Sequence, residues 1–350
     1  MNEIGKNLKR IRLLKNLSLR DAGMLLNMSA PAISKYEKGE IVPNSQKLIE
    51  FANAYNVKTL DLLKSYNSLE MKFTAFRKKQ RLQGKNLELL KEFIQNEVSN
   101  YLEVIEMNNI DSNTNKLKKY ICNNLDDVEN ATYKFRKEYG LSCNQPISDL
   151  INVLENIGIL IIQIKDTEKK FLDFDGLSEF VNNVPVIVIL DDINDGARQR
   201  FTIAHELGHL ILDIRNKDLD IEKMCNRFAS ALLMPKEAII HEFGVSRNNI
   251  SFYEFRVFKI EYKVSMSATI YRLKELNVIS EYLFKSLNIF FSKQGYKKEE
   301  PYPIELEKSY QFKRIVHKLE ADNIISLNRA CELLGVSIDE FNDEDNNYRH

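Results

Sequence analysis

The sequence contains no tryptophan and only four cysteines, and it has no long apolar run. The cysteines stand singly at positions 122, 143, 225 and 331, which is not the spacing of a disulfide framework, so we expect a reduced, cytoplasmic protein. The longest apolar run, 184–190, is far shorter than a membrane span. The first ten residues lack the apolar stretch of a secretory signal, and we expect no membrane partner.

Net charge is also absent, because 50 Lys+Arg balance 50 Asp+Glu. The charge is nonetheless unevenly distributed along the chain. Residues 1–64 hold 11 Lys+Arg against 6 Asp+Glu, a net of +5, whereas residues 146–350 hold 26 against 33, a net of −7. A basic N-terminal segment followed by an acidic remainder is typical of a protein with a separate nucleic-acid-binding module.

Residues 4–64 read as short amphipathic helices joined by tight connections. Ser18 followed by Asp21 predicts a capping box at the start of one helix. Ser29 can cap the next helix, with Pro31 in its first turn, where proline is tolerated. Nothing in this segment has the alternation of a strand, so we expect an all-α domain.

Strand character begins after residue 146. The strongest candidates are 159–164 and 184–190, with a weaker one at 174–180. From residue 198 the pattern returns to helices, and a last helical segment is predicted over 305–341. Its end, RACELLGVSIDEF, indicates a small helical hairpin, and no internal repeat is evident. The chain is therefore predicted to be α+β and mostly helical.

The strongest chemical signal is the string HELGH at 205–209. Histidines at i and i+4 project from one face of a helix about one turn apart, so His205 and His209 can reach one Zn²⁺. Glu206 lies on the adjoining face, where it can take a proton from a metal-bound water without binding the metal. Flanking apolar residues place the helix against a core, which suits a dry metal site.

A catalytic zinc needs a third protein ligand and one open position. Glu222 comes thirteen residues after His209 on a new helix, and it would complete a His₂Glu ligand set of the gluzincin type. Cys225 is the alternative ligand, because it shares that helix face and thiolates bind zinc well. We expect Cys225 to be a packing residue beside the site.

The strings RQRFTIAHELGHLIL (198–212) and EKMCNRFASALLMP (222–235) resemble the ImmA/IrrE family of zinc metallopeptidases. The resemblance covers roughly residues 125–290. It implies that His205, His209 and Glu222 bind one Zn²⁺ per chain and that Glu206 is the general acid/base. It also implies a compact gluzincin-like domain with a small antiparallel sheet above the active-site helix.

Two features of the implied peptidase remain open. Strand 184–190 is expected to be the edge on which an extended substrate lies as an added strand. The side chain that stabilises the oxyanion is not determined by the sequence. The candidates are Arg198, Arg200, His241, Tyr253 and Tyr262.

Residues 17–57 resemble the phage-repressor-like, XRE-type helix-turn-helix domain, whose second motif helix enters the major groove. The corresponding positions here are Ala30, Pro31, Ser34 and Lys35. Leu19, expected to be exposed or nearly so, stands where the family usually has a phosphate-anchoring glutamine. Arg12 and Glu37 match a pair that bridges helices inside the domain.

Together these patterns predict four parts of the chain. They are an XRE-type DNA-binding domain at 1–66, connecting helices at 67–122, the metallopeptidase domain at 123–292 and a helical accessory segment at 293–350. The predicted function is a homodimeric regulator that binds an operator near its own gene. It would use zinc to cleave a protein, either a repressor or a toxin–antitoxin component. The alternative is a repressor or antitoxin that binds DNA and a partner protein without catalysis.

Overall fold

The computed structural model describes residues 3–15, 17–63, 85–108, 117–164, 176–191, 195–216 and 218–346. Within these ranges the chain forms seventeen helices and five short strands, which confirms the mostly helical α+β fold. The chain divides into two compact units. One holds Met1–Met71 and Lys79–Glu103, and the other holds Lys72–Lys78 and Val104–His350. Among the described residues no helix is both long and apolar enough to cross a membrane.

The first unit begins with five helices. They are α1 (Glu3–Leu14), α2 (Leu19–Leu26), α3 (Ala30–Lys38), α4 (Ser45–Tyr55) and α5 (Thr59–Leu63). The predicted capping box is present, since the Asp21 amide donates to Ser18 Oγ at 3.1 Å and the Ser18 amide donates to Asp21 at 2.7 Å. Asn27, in the left-handed region at φ 50°, ends α2 and makes the tight turn into α3. The turn therefore follows from local chemistry.

The core of this unit is closed by apolar side chains and one buried ion pair. Leu8, Ile33 and Phe51 are among its fully buried residues. Arg12 donates to Glu37 through Nε at 2.5 Å and through a terminal nitrogen at 2.9 Å, which joins α1 to α3. The structural role predicted for this pair is confirmed. Leu19 differs from expectation, because it is only partly exposed and packs against the core.

A long helix, α6 (Lys85–Met107), follows these five. Its buried positions recur every three or four residues, so it presents one apolar stripe. That stripe comprises Leu90, Ile94, Val98, Tyr101, Val104 and Ile105. Within the segment predicted as connecting helices, residues 67–84 and 109–116 lie outside the described part of the chain.

The second unit contains two small sheets and eleven helices after α6. In chain order these are β1 (Tyr120–Cys122), α7 (Leu125–Glu138), α8 (Leu150–Asn156), β2 (Leu160–Ile164), β3 (Gly176–Val181), β4 (Val184–Leu190), α9 (Gly196–Ile211), β5 (Leu212–Ile214), α10 (Ile221–Leu233), α11 (Lys236–Phe243), α12 (Phe252–Tyr262), α13 (Met266–Glu275), α14 (Glu281–Lys293), α15 (Gln311–Ala321), α16 (Leu327–Leu334) and α17 (Ile338–Asn346).

The sheet beside α9 corrects two expectations. Its strand order is β2-β4-β3, with β4 parallel to β2 and antiparallel to β3, so the sheet is mixed and only its β3–β4 half is antiparallel. β4 is the central strand and is buried along its whole length, so it has no free edge for a substrate. Continuous apolar burial is what a central strand requires, and it explains the run at 184–190.

Helix α9 lies between this sheet and α10 and is enclosed on both sides. Ile203, Ala204, Leu207 and Ile211 are completely buried. Helix α10 is in turn held to α7 and α13, because Glu129 accepts from both Arg272 and Arg227. Burial alone would raise the pKa of Glu129, but the two guanidinium groups lower it below its ordinary value. These ion pairs fix α10, the helix that carries Glu222, against α7 and α13.

A segment without helix or strand, residues 300–310, crosses the second unit, and we call it the strap. The predicted helical segment 305–341 begins only at Gln311, so residues 305–310 correct that expectation. The Gly196 amide, at the start of α9, donates to the Ile304 carbonyl at 3.0 Å. A side chain on Gly196 would overlap the Glu305 carbonyl, so the strap can pass here only because the residue is glycine.

Two glutamates with buried side chains anchor the strap, and each pairs with a buried cation and accepts backbone amides at a helix N-terminus. Glu307 pairs with Arg200 of α9, which is completely buried, and it accepts the Leu150 and Ile151 amides of α8 at 2.8 and 3.0 Å. Glu300 pairs with Lys259 at 3.0 Å and accepts amides at the start of α13. The segment predicted as accessory therefore contributes to the core of the second unit.

The Gln199 side chain adds a further tie between α9 and the strap. Its amide nitrogen donates to the Glu307 carbonyl at 3.0 Å, and its amide oxygen accepts the Glu307 amide at 2.8 Å. Gln163 of β2 makes a second pair of hydrogen bonds, to the Glu307 carbonyl and the Ser309 amide. The strap thus spans from the sheet to α9.

Three helices at the C-terminus repeat the spacing of three helices at the N-terminus. α15, α16 and α17 begin at Gln311, Leu327 and Ile338, and α1, α2 and α3 begin at Glu3, Leu19 and Ala30. The separation is 308 residues in all three cases, from 3 to 311, from 19 to 327 and from 30 to 338. The sequence-based expectation of no internal repeat is therefore wrong.

We expect Glu307→Gln to destabilise the second unit by roughly 3–5 kcal/mol, because it leaves the buried Arg200 charge unpaired. Glu305→Gln is the matched control, since Glu305 is exposed two residues away in the same strap. Urea unfolding followed by circular dichroism measures both changes. Equal unfolding midpoints for the two variants would contradict this role of Glu307.

Candidate functional site

Three side chains from two helices converge on one point. His205 and His209 are one turn apart on α9, and Glu222 is in the first turn of α10. His205 Nε2 lies 3.1 Å from both His209 Nε2 and a Glu222 carboxylate oxygen, and the other Glu222 oxygen lies 3.4 Å from His209 Nε2. Among the described residues this is the one group of three or more His, Cys, Asp or Glu side chains close enough to hold a metal.

The distances fit a zinc ion. Ligand atoms that each lie about 2.0–2.1 Å from one ion in tetrahedral geometry are about 3.3–3.4 Å from one another. The three observed separations, 3.1, 3.1 and 3.4 Å, are close to that edge length. The histidines are largely buried, whereas the Glu222 side chain is half exposed, which leaves one side of the cluster open to solvent.

Asn226 determines which nitrogen of His205 faces this point. Asn226 Oδ1 lies 2.9 Å from His205 Nδ1, and an amide oxygen can only accept, so Nδ1–H donates to it. Nε2 therefore presents a lone pair toward His209 Nε2 and the Glu222 carboxylate. This nitrogen and the Glu222 carboxylate are two electron-pair donors 3.1 Å apart, and a cation between them would remove their repulsion, which fits a metal site.

Glu206 lies on the face of α9 that adjoins the two histidines, toward the sheet. It is almost fully buried, and Ser178 of β3 donates to its Oε2 at 2.9 Å. Gly176 of β3 also lies against α9 here. A Cβ on this residue would be 2.7 Å from Thr202 Cγ2 and 3.2 Å from Glu206 Cγ, which is too close. The close approach of β3 to α9 thus requires glycine at position 176. β3 is a sheet edge and passes beside the HELGH helix.

Cys225, the alternative metal ligand, and two of the oxyanion candidates are held by other parts of the fold. Cys225 is completely buried and packs against Gly208, away from the three-residue cluster. Arg200 is bound by Glu307, and the Tyr262 hydroxyl donates to the Asn144 carbonyl at 3.2 Å. The other candidates, Arg198, His241 and Tyr253, are exposed. Arg200 and Tyr262 thus have partners other than the cluster.

The predicted DNA contacts lie on the first two turns of α3. Pro31 and Lys35 are exposed, and Ala30 and Ser34 are partly exposed. Ser29 Oγ accepts the Ala32 amide at 3.3 Å, so the helix begins where the capping signal predicts. α2 and α3 together form a helix-turn-helix whose second helix presents these positions on the surface.

Two residues of the site are not found by reasoning from the sequence. Asn226 lies four residues after Glu222 and therefore shares its helix face, so spacing offers a signal that could have found it. Ser178 offers none, because its contact with Glu206 depends on how β3 approaches α9. Long-range packing, rather than a local motif, places this hydroxyl.

Comparison with known proteins agrees with both resemblances. Residues 8–62 match the family model described as helix-turn-helix, and residues 154–274 match a peptidase family model described as the IrrE N-terminal-like domain. The two domains therefore follow one another in the predicted order. No curated protein matches the chain.

One solved structure is similar over much of its sequence, that of the Streptococcus dysgalactiae SHP pheromone receptor Rgg2. The identity is 18%, the match covers 85% of this chain and 100% of that chain, and the TM-score is 0.17. A TM-score this low carries no argument about fold or function.

We expect Asn226→Ala to weaken zinc binding by about 10–100-fold, because His205 loses the acceptor that orients its ring. Competition with a chromophoric chelator measures this affinity without any activity assay. Asn130→Ala, an exposed helical position on α7, is the matched control. If both variants bind zinc as the wild type does, the assignment of Asn226 fails.

Proposed function

We propose that the protein is a DNA-binding transcriptional regulator with zinc-dependent endopeptidase activity. The observation that carries the proposal is the convergence of His205, His209 and Glu222 at zinc-ligand distances, with the buried Glu206 one residue after the first ligand. The peptidase match over 154–274 and the helix-turn-helix match over 8–62 support the two halves of the proposal.

The metal ligands, the general base and the residue that orients this base have separate roles in peptide hydrolysis. A Zn²⁺ held by His205, His209 and Glu222 would supply a Lewis acid for a peptide carbonyl and a lowered pKa for water. The Glu206 carboxylate takes the proton from the attacking water and later delivers it to the nitrogen of the leaving amine. Ser178 holds one carboxylate oxygen, Oε2, which orients the side chain for this transfer.

The substrate we propose is an extended segment of a regulatory protein, either a repressor or a toxin–antitoxin component. An extended peptide can pair with the edge of β3 that has no partner strand among the described residues, where residues 176 and 178 lie beside Glu206. A helix-turn-helix domain in the same chain supports a regulatory substrate, since it would bring the peptidase to an operator. As helix-turn-helix modules usually read paired half-sites, we propose that two copies form a homodimer on the operator.

We expect Glu206→Gln to abolish cleavage of a candidate repressor encoded beside this protein's own gene, while zinc content stays unchanged. The variant keeps the shape of the side chain but removes the proton acceptor. Electrophoresis of reaction mixtures with and without chelator measures cleavage, and Glu237→Gln, an exposed site on α11, is the matched control. Zinc-loaded wild type that cleaves none of the neighbouring gene products would favour the regulator that only binds DNA and a partner.

The DNA-binding half has its own test. We expect Lys35→Ala to weaken binding to the upstream region and to reduce the slope of affinity against salt by about one, because one cation–phosphate contact is lost. Fluorescence anisotropy across a salt series measures both quantities. Lys15→Ala removes an exposed lysine of the same unit outside α3 and is the control. A slope that is equal in all three proteins would contradict the contact.

A further inference from the structure

The repeat of α1–α3 in α15–α17 extends from helix boundaries to local chemistry. α2 and α16 each have eight residues and a serine N-cap, and each ends at a left-handed residue, Asn27 at φ 50° and Gly335 at φ 67°. After an identical interval, Ser29 caps α3 and Ser337 caps α17. The same helix-turn-helix geometry is therefore built twice in the chain.

The side chains agree at the positions that this geometry requires. Between 18–33 and 326–341, six of sixteen residues are identical, and they include both serine caps and the buried alanine of the first motif helix. Ala22 and Ala330 are both completely buried, and Ile33 corresponds to Phe341, which is 1% exposed. The apolar core of the motif is conserved between the copies, whereas the surface is free to differ.

The surface differs in the sign of its charge. α17 has the sequence IDEFNDEDN, with five acidic residues and no lysine or arginine. Lys35 of α3, the best phosphate contact, corresponds to Asp343, and Pro31 corresponds to Asp339, and both aspartates are exposed. A helix of this charge is repelled by phosphates, so the second copy cannot use its second motif helix as the first copy does.

An exposed apolar residue accompanies the acids. Ile338, at the first position of α17, is 44% exposed beside Asp339. The α2–α3 surface of the N-terminal copy carries exposed Met24 and Leu25 on α2 together with exposed Arg20 and Lys35. One surface is apolar and acidic, and the other is apolar and basic, so the two are complementary in both respects.

We infer that α15–α17 is a second helix-turn-helix unit that docks, through α17, on the DNA-reading face of α2–α3 in a second copy of this chain. The occupant follows from the charge complementarity, because the basic face is part of the same protein and carries an apolar patch beside its cations. Docking covers Lys35, so DNA and the second copy compete for one surface. This role is independent of whether the peptidase site is catalytic.

The inference is tested with the full chain by sedimentation velocity at low salt. We expect wild type to self-associate, with association lost on raising the salt and on adding a short duplex from the upstream region that can hold only one helix-turn-helix domain. Asp339→Lys with Asp343→Lys is expected to weaken association at least about ten-fold, because two attractive charges become repulsive. Glu261→Lys with Glu299→Lys makes the same change in net charge at exposed sites elsewhere in the second unit and is the control.

A charge exchange gives the sharper result. Lys35→Glu alone and the Asp339→Lys/Asp343→Lys variant alone should each remain largely monomeric, whereas an equimolar mixture of the two should associate. Circular dichroism on every variant separates lost docking from lost folding. Wild type that is monomeric at low salt, or an acid-to-lysine variant that associates as wild type does, overturns the inference. Association that a duplex holding only one helix-turn-helix domain does not displace also overturns it.

Discussion

Burying the Arg200 charge is the constraint on which the arrangement of the second unit depends. Arg200 lies one and a half turns before His205 on α9 and has no exposed surface. A guanidinium in a core needs a carboxylate, and the one it has comes from Glu307, far along the chain. Glu307 also accepts hydrogen bonds from two α8 amides, so the carboxylate that neutralises Arg200 caps α8 as well. The orientation of the HELGH helix is thus tied to a segment outside the matched peptidase range.

Much of the candidate site could be predicted because its signals are local. The i, i+4 histidines and the adjacent glutamate share one helix, so their relative positions follow from helix geometry alone. Glu222 follows within two elements on a helix packed against the first. The capping residues of α2 and α3 act over three residues, and the structure has both caps where the sequence places them.

The rest could not be predicted because it depends on distant pairs. Strand 184–190 was expected at an edge, yet its position between β2 and β3 is decided by strand order, which leaves no trace in its own apolar sequence. Ser178 reaches Glu206 only through the approach of β3 to α9. The repeat is not evident in the sequence, because the two copies lie 308 positions apart and share only six of sixteen residues. Unrelated amphipathic helices share similar residues by composition alone.

The strap also imposes an order on how the protein is made. Glu307 leaves the ribosome 107 residues after Arg200, which at roughly 5–20 residues per second is a delay of about 5–20 s. During that interval the Arg200 charge of the nascent α9 lacks the Glu307 carboxylate, and α9 cannot pack in its final position. The packing of the helix that bears His205 and His209 is therefore completed only after residue 307 has been synthesised.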